Sequence, residues 1–243
     1  MRTDPALSFL DRLESRTRSE EVLGALSEMV ERAGLEVGDR LPPELALAAQ
    51  LGVGRSTIRE ALNKWEGLGL IRRRRGIGTF LAAPVPRSDG PVPQMVRLEG
   101  EALLRLLEVR RALELDVVRY AAVRASAAQR AEIVRLCDAL LEVIEARGDY
   151  RRHDLAFHVA IHEASGNPLF SQILLRLEEA FEKSQESPFS RAAFGLESFP
   201  IHRELCDAVA AADPEAAADA MSRIIDVVER EVRQIIDSGS GAL

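Results

Sequence analysis

The sequence is poor in the residues that build disulfide frameworks and membrane spans. It has two cysteines in 243 residues. Cys137 and Cys206 each lie beside apolar residues in a helical pattern, which indicates buried, reduced thiols. No apolar run approaches the roughly 18 residues that cross a bilayer, and the N-terminus has no signal-peptide core. We therefore expect a cytoplasmic protein that does not associate with a membrane.

Aromatic residues are also scarce, at 5% of the chain, while alanine, leucine, glutamate and arginine dominate. This composition favours helices over strands, so we expect a mainly α protein. The length leaves room for two domains. The net charge of −7 is unevenly distributed, since residues 1–81 have a net charge of +1 and residues 82–243 one of −8. Between Arg40 and Arg75, eight basic residues stand against three acidic ones, which indicates a surface for a polyanion.

Residues 1–81 contain a compact, helix-rich pattern. Apolar residues recur at helical spacing over residues 19–33, Pro43 is placed to open a second helix that ends at Leu51, and a third helix is predicted over about Ser56 to Leu68. Residues 70–81 then predict two short strands around a glycine turn. Two helices joined by a glycine-containing turn and followed by a two-stranded ribbon are the order of elements in a winged helix-turn-helix domain.

The start of the third helix carries the side chains that a DNA-reading helix needs. Arginine can bind guanine with two hydrogen bonds, serine and threonine can reach phosphate or base edges, and the helix N-terminus itself favours phosphate. The candidate contacts there are Arg55, Ser56, Thr57 and Arg59. The run from Arg72 to Arg75 would add salt-sensitive affinity for any sequence. The alternative for this run is an edge strand whose charges only guard against aggregation.

Four prolines between Leu81 and Gly100 indicate a linker, which we place at residues 82–100. Beyond it the pattern is helical, and residues 101–237 are expected to form a helical effector-binding and dimerisation domain with a tail at residues 238–243. Six helical segments are expected, at about 101–125, 127–147, 149–165, 168–186, 196–212 and 214–237.

All four histidines of the chain lie in this second part. Asp154 and His158 are four residues apart and therefore share a helix face, His162 follows one turn later, and His202 lies on a later helix. An aspartate and a histidine on one helix, with a histidine from another, are a common metal site in helical bundles. By spacing alone, histidines in this pattern are more often surface or core residues than metal ligands.

Several motifs of the first part resemble the GntR family of bacterial transcription regulators. The resemblance covers about residues 20–82 and is carried by the runs GDRLP (38–42), LGVGRSTIREAL (51–62), GLGLI (67–71) and RGIGTF (75–80). It implies that Arg40, Arg55, Thr57 and Arg59 contact DNA, with Arg75 and Gly76 at a wing tip that enters the minor groove. One departure is Leu45, which stands where the family usually has a DNA-contacting arginine.

The second part resembles the FCD domain of the FadR subfamily, through EVRRALE (108–114), DLAFH (154–158), ASGNP (164–168) and HRE (202–204). In that family an aspartate and three histidines hold a divalent metal in a helical bundle. Asp154, His158 and His202 match, but Ile224 stands where the third histidine is expected. Three outcomes stay open: a metal on three protein ligands, substitution by His162, or loss of the metal. Zn²⁺, Ni²⁺ and Mn²⁺ would all accept such nitrogen and oxygen ligands.

Two further residues are candidates for binding an effector. Arg110 can clamp a carboxylate with two hydrogen bonds, although pairing with Glu114 at i+4 is an equal alternative. Asn167 is expected either to line the effector pocket or to shape the turn between Gly166 and Pro168.

The sequence therefore predicts a transcription regulator rather than an enzyme. A homodimer would bind a palindromic operator of double-stranded DNA and respond to a small carboxylate, most simply as a repressor released by its ligand. A regulator without metal that senses an acyl-type ligand is the main alternative. A metal-dependent enzyme and an architectural DNA-binding protein without an effector are weaker ones.

Overall fold

A computed structural model describes residues 15–86, 92–182, 189 and 194–238. The chain divides into two compact units, Met1–Leu98 and Glu99–Leu243. The expected tail at 238–243 lies almost wholly outside the described residues, as do residues 87–91 of the expected linker. Each unit has its own hydrophobic core, and the two are described separately below.

The first unit has three helices and a two-stranded antiparallel ribbon. Its elements are α1 (Ser15–Arg32), α2 (Glu44–Leu51), α3 (Arg55–Gly67), β1 (Ile71–Arg74) and β2 (Gly78–Leu81). The strands pair from Ile71 opposite Leu81 to Arg74 opposite Gly78. The turn between α2 and α3 starts at Gly52, whose φ of 65° is left-handed and therefore suits glycine. The winged helix-turn-helix predicted from the sequence is confirmed.

One face of α3 is buried in the core of this unit. Its apolar residues fall at i, i+3, i+4 and i+7, so they form one stripe along the helix. These residues are Ile58, Ala61, Leu62 and Trp65, and all four are at most 1% exposed. Leu23 and Leu26 of α1 belong to the same core. Because this stripe is fixed in the core, the first residues of α3 remain outside it.

The second unit is helical in its described part. Its elements are α4 (Gln94–Arg124), α5 (Ala127–Glu145), α6 (Arg151–Ala164), α7 (Pro168–Glu182), a 3-10 turn (Leu196–Ser198), α8 (Phe199–Ala210) and α9 (Pro214–Ser238). Three of the four predicted breakers lie between helices: Gly148 after α5, Gly166 to Pro168 between α6 and α7, and Asp213 with Pro214 between α8 and α9. The fourth, Ser187 with Pro188, lies outside the described residues. α4 differs, because it begins at Gln94 and not near 101, so residues 94–100 of the expected linker are helical.

Packing places α6 and α8 against α5, and α9 against α8. The buried side chains include Ile133 and Leu140 of α5, Phe157 and Ile161 of α6, and Leu205 of α8. Ser126 caps α5 reciprocally with Gln129, which fixes the corner after α4. Polar residues on the inner faces of α6 and α8 are thereby enclosed among apolar neighbours.

Among the helices that the structure describes, none combines the length and the apolar character that a bilayer crossing requires.

Candidate functional site

Three predicted metal ligands converge inside the second unit. The i and i+4 spacing on α6 puts Asp154 and His158 on one face, and α8 brings His202 to them. His202 Nε2 lies 3.2 Å from Asp154 Oδ1 and 3.2 Å from His158 Nε2, while His158 Nε2 lies 3.6 Å from Asp154 Oδ1. This is the one group of three metal-ligating side chains found among the described residues.

The separations in this triad fit a shared cation. Bonds of about 2.0–2.2 Å to nitrogen and oxygen place neighbouring ligand atoms roughly 3.0–3.5 Å apart. His202 Nδ1 lies 3.0 Å from the backbone oxygen of Ser198. That oxygen can only accept, so Nδ1 donates, and Nε2 would offer its lone pair to a cation bound at the triad. Asp154 Oδ1 has no hydrogen-bond donor aligned on it among the described residues.

The charge of Asp154 is supported by its two histidine neighbours. Burial alone would raise the pKa of its carboxyl group, but His158 and His202 outweigh burial and hold that pKa well below its usual range. The carboxylate is therefore ionised, as a metal ligand must be.

The position expected to supply a third histidine gives no ligand. Ile224 is buried on α9, at 6% exposure, and its side chain carries no donor atom. His162 does not take that place in this structure, because its Nε2 lies 3.0 Å from Oε2 of Glu114 and the ring stands outside the triad.

Glu114 is the centre of a second polar cluster that the sequence revealed only in part. Its carboxylate is fully buried on α4 and contacts Arg110 Nη2 at 3.1 Å through Oε1 and His162 through Oε2. Burial would raise the pKa of Glu114, but the charge and hydrogen bond of His162, then the charge of Arg110, hold it well below its usual range. The expected Arg110–Glu114 pair is present. The signal for the contact with His162 was a glutamate in the apolar stripe of α4 beside Val117 and Val118.

A small cavity joins the two clusters. Its volume is about 20 Å³, which is room for about one water molecule. Its lining consists of Arg110, Asp154, Leu155, His158, His162, Leu174 and Leu175. The candidate effector residue Arg110 therefore faces the same space as two of the metal-ligand candidates. Polar groups occupy α4 and α6, and leucines close the cavity from α6 and α7.

Asn167 is placed at the turn and not in the lining of this cavity. Its Oδ1 accepts a hydrogen bond from the backbone N–H of Leu169 at 3.1 Å, at the start of α7. Its own N–H lies 3.4 Å from Ser165 Oγ. These contacts show that Asn167 shapes the turn before α7; its role as an effector contact stays a prediction.

In the first unit, the predicted DNA contacts lie at the exposed start of α3. Arg55, Ser56 and Arg59 are exposed, and Thr57 is half-buried. The helix starts after Gly54, which provides no side-chain cap, so the first turn of α3 presents its backbone N–H groups. Arg59 Nη2 lies 3.3 Å from Glu44 Oε2 on α2. Leu45, next to Glu44, is 65% exposed.

The arginines of the wing have unequal roles. Arg73 is anchored to α3, since its Nη1 lies 2.6 Å from Asn63 Oδ1 and its backbone N–H donates to Glu66 Oε1. Arg74 lies over the ring of Phe80, at 5.4 Å. Arg72 and Arg75 are exposed on the ribbon and its turn. Only part of the basic run is therefore available to a polyanion.

The conformation of the wing turn and the position of the Arg40 side chain both depend on glycine residues. Gly76, at the tip, has a left-handed φ of 75°. At Gly78 a Cβ atom would lie 2.5 Å from Arg40 Nε, so the Arg40 side chain passes across this position. Arg40 also forms a backbone bridge with Phe80. The exposed Arg40 is thereby held beside the wing.

A winged helix-turn-helix with a basic helix start, followed by a helical unit with a polar buried cavity, defines a DNA-binding regulator with a sensing domain. Comparison with known families agrees with this class. Residues 18–81 match the bacterial regulatory proteins of the gntR family, and residues 105–227 match the FCD domain. The chain belongs to the GntR family and carries an FCD domain, which confirms a transcription regulator and not an enzyme.

Three curated proteins are similar over most of their length. The chain is 32% identical over 210 residues to the HTH-type transcriptional regulator LutR of Bacillus subtilis (strain 168), covering 83% of this chain and 94% of LutR. It is 29% identical to the "Putative L-lactate dehydrogenase operon regulatory protein" of Escherichia coli (strain K12), covering 90% and 88%. It is 26% identical to the HTH-type transcriptional repressor NanR of Citrobacter rodentium (strain ICC168), covering 89% and 85%.

A solved structure supports the fold alone. A transcriptional regulator of the GntR family from Pseudomonas syringae pv. tomato str. DC3000 matches with a TM-score of 0.50 and 18% identity, over 92% of this chain and 90% of that one.

We expect Glu114→Ala to destabilise the second unit by about 3–5 kcal/mol, because it leaves the buried His162 and the partly buried Arg110 without their shared carboxylate. Urea unfolding followed by circular dichroism measures the change. Glu108→Ala, at an exposed position of the same helix, is the matched control and should stay within about 0.5 kcal/mol of the parent. Equal stability of the two variants would contradict a stabilising role for the buried cluster.

Proposed function

We propose that this regulator is a repressor that binds a palindromic operator as a homodimer and releases it when a small carboxylate enters the cavity of the second unit. The observation that carries the proposal is the cavity itself, because Arg110, His162 and two members of the triad, Asp154 and His158, all line it. Polar groups that converge in a pocket are typical of a ligand site. NanR, a relative of this chain, is named a transcriptional repressor, which supports repression as the direction of control.

DNA recognition is assigned to the start of α3 and to the wing. Arg55, Ser56, Thr57 and Arg59 stand where a recognition helix meets the major groove, and Arg40, Arg75 and Gly76 lie on the adjoining wing. Arginine at the helix start can read guanine, whereas the exposed wing arginines add affinity for any sequence. Arg59 contacts the carboxylate of Glu44 in the protein without DNA. When DNA binds, Arg59 would leave this carboxylate and contact the DNA instead.

We expect Arg55→Ala to weaken operator binding by about 1–3 kcal/mol if Arg55 reads a base. Fluorescence anisotropy with a labelled operator fragment, repeated over a salt series, gives both the affinity and the salt dependence. Arg32→Ala removes a charge from the exposed end of α1, where Arg32 pairs with Glu28, and should leave both unchanged. If the two variants bind with the same affinity as the parent, the assignment of α3 as the recognition helix is wrong.

A carboxylate is the effector class that the cavity supports. A guanidinium and a metal both bind carboxylate oxygens well, and Arg110 lines the cavity beside Asp154 and His158. The volume of about 20 Å³ favours a molecule of few atoms and requires leucines such as Leu174 to move on binding. An acyl chain would need far more apolar space, so the alternative of an acyl-type ligand without metal is less favoured. The name of the Escherichia coli relative, which refers to an L-lactate dehydrogenase operon, agrees with a small carboxylate.

The triad supports a divalent metal on three protein ligands. With Ile224 in place of a histidine, positions remain for water or for oxygen atoms of the effector, as in open metal sites. Zn²⁺, Ni²⁺ and Mn²⁺ all suit one carboxylate and two imidazoles. The metal would thus link effector binding to α6 and α8 together.

We expect the purified protein to contain about one equivalent of divalent metal per chain, and His158→Ala to lose it, because two remaining ligands bind too weakly. Elemental analysis after dialysis measures the content. His153→Ala changes a histidine of the same helix that lies outside the triad and should retain the metal. Equal metal content in His158→Ala and the parent would exclude this site as its location.

Homodimerisation is supported by an apolar surface on α4 and α7. In the described part of the second unit, five of the six most exposed large apolar side chains lie on these two helices: Val109, Tyr120, Val123, Leu169 and Ile173. The ring of Tyr120 on α4 stacks on the ring of Phe170 on α7, with 6.1 Å between the ring centroids, so the two helices are in contact at this surface. A cluster of exposed apolar residues is typical of an interface, and a second copy is the partner that a palindromic operator requires.

We expect Val123→Glu to shift the protein toward a monomer, because it would bury a charge without a partner in the proposed interface. Sedimentation velocity at micromolar concentration measures the shift. Leu196→Glu introduces the same charge at an exposed position away from α4 and α7 and should leave the oligomeric state of the parent unchanged. A parent protein that sediments as a monomer would contradict the proposed dimer.

A further inference from the structure

The ring of His202 is oriented by the turn that precedes its own helix. Its Nδ1 donates to the backbone oxygen of Ser198, 3.0 Å away, at the end of the 3-10 turn. A histidine that binds a metal through one ring nitrogen is oriented by the hydrogen bond of the other nitrogen. The direction in which Nε2 of His202 faces Asp154 and His158 therefore depends on where this turn holds the oxygen of Ser198.

The turn of residues 195–198 is closed by hydrogen bonds within it. The backbone oxygen of Gly195 accepts from the backbone N–H of Ser198 at 3.0 Å and from its Oγ at 2.7 Å. Gly195 has a left-handed φ of 78°, which glycine adopts without strain. Because these bonds tie Gly195 to Ser198, a group that fixes Gly195 also fixes the oxygen that orients His202.

Glu231 of α9 makes such a contact. Its Oε2 accepts a hydrogen bond from the backbone N–H of Gly195 at 2.8 Å. Burial raises the pKa of Glu231, and the hydrogen bond from Gly195 opposes this effect. The carboxylate thus loses part of its hydration and gains a contact with the turn beside the triad.

We propose that Glu231 is a positioning residue of the metal triad, and that it strengthens metal binding by holding the turn that orients His202. Glu231 stands seven residues after Ile224, so both lie on the same face of α9. The helix that has an isoleucine where a histidine is expected would thus act on the site through a hydrogen bond two turns further on. This inference rests on the proposed metal site and adds a residue that is not itself a ligand.

A second contact restrains the same turn and limits how much Glu231 contributes. Tyr150, just before α6, donates its hydroxyl hydrogen to the backbone oxygen of Phe194 at 2.7 Å. The ring of Tyr150 meets Phe199 edge-on with 4.7 Å between centroids, and Phe199 lies 4.9 Å from the ring of His202. Since these contacts do not involve Glu231, its loss would loosen the turn without releasing it.

The first test measures the affinity of the metal-free, full-length protein for Zn²⁺ in competition with a chromogenic chelator. Glu231→Ala removes the acceptor, and we expect the dissociation constant to rise about 10-fold, the low end of what partners of metal ligands contribute. Glu231→Gln keeps an oxygen that can accept from Gly195 and should bind Zn²⁺ nearly as well as the parent. Equal affinity of Glu231→Ala and the parent, or a Glu231→Gln variant as weak as Glu231→Ala, would overturn the proposal.

The matched control is Glu229→Ala. Glu229 is also half-buried on α9, but its carboxylate contacts Arg111 at 3.4 Å and not the turn. Its substitution removes a carboxylate from the same helix and should leave the dissociation constant for Zn²⁺ unchanged. If Glu229→Ala weakens binding as much as Glu231→Ala does, the contact with Gly195 is not the cause.

A spectrum separates positioning from a loss of stability. The visible absorption of bound Co²⁺ depends on the arrangement of its ligands, whereas a less stable fold only lowers the amount of folded protein. We expect Glu231→Ala saturated with Co²⁺ to differ in the shape of its spectrum from the parent and from Glu229→Ala. Identical shapes would show that Glu231 does not orient His202.

Hydrogen exchange of the unaltered protein decides the question even if Glu231→Ala does not fold. Coupling between two sites is reciprocal, so a turn that strengthens Zn²⁺ binding is itself stabilised by Zn²⁺. We expect the backbone N–H of Gly195 to exchange more slowly when Zn²⁺ is added. The N–H of Ala212, which donates to Val209 at the other end of α8, should change less. Equal slowing at both positions, or none at Gly195, would contradict the role of Glu231.

Failure of this role can be told apart from failure of the metal site. If the parent binds neither Zn²⁺ nor Co²⁺, the proposed metal site is wrong and the role of Glu231 is wrong with it. If the parent binds metal and His158→Ala loses it, but Glu231→Ala binds as the parent does, only the role of Glu231 is wrong.

Discussion

The buried carboxylate of Glu114 is the contact on which the arrangement of the second unit depends. It lies within an otherwise apolar stripe of α4, where a charge without partners would cost several kcal/mol. Arg110 from the same helix and His162 from α6 occupy its two oxygens. Because these partners come from different helices, satisfying this one charge links α4 to α6 beside the cavity that Arg110 and His162 line.

The face of α6 serves two clusters at once. Asp154 and His158 turn toward α8 and the metal triad, and His162, one turn further on, turns toward α4 and Glu114. α8 is held in the same network, since His202 donates to its own preceding turn at Ser198. A molecule that enters the cavity therefore meets groups from α4 and α6 together, while the triad connects it to α8. A bound molecule shifts the equilibrium between two conformations of a protein only by the difference between its binding free energies for them, which is typically about 1–3 kcal/mol.

Local signals in the sequence were sufficient for the helices, the wing and the triad. Helix-breaking residues such as Asp213 and Pro214 mark the ends of helices. The spacing of Asp154 and His158, at i and i+4, puts both side chains on one face of α6 regardless of which other helices pack there. Contacts between residues far apart in the sequence were not predictable from local signals. The hydrogen bond between Glu114 and His162 and the contact of Arg73 with Asn63 on α3 are seen only in the three-dimensional structure. Gly100 shows the same limit. It falls within the predicted linker at residues 82–100, but it lies inside α4, where an added Cβ would lie 2.6 Å from Cγ1 of Ile236.

The replacement of a histidine by Ile224 and the presence of His162 bear on the same question of which ligand the cavity accepts. Ile224 leaves the triad with three protein ligands and so with positions for oxygen atoms of the effector. Arg110 and His162, which share the carboxylate of Glu114, line the same cavity as Asp154 and His158. A small carboxylate, the effector class that we propose, would meet these groups together. An acyl chain satisfies none of them and meets only the leucines of α6 and α7, so its binding would leave the buried polar atoms unpaired.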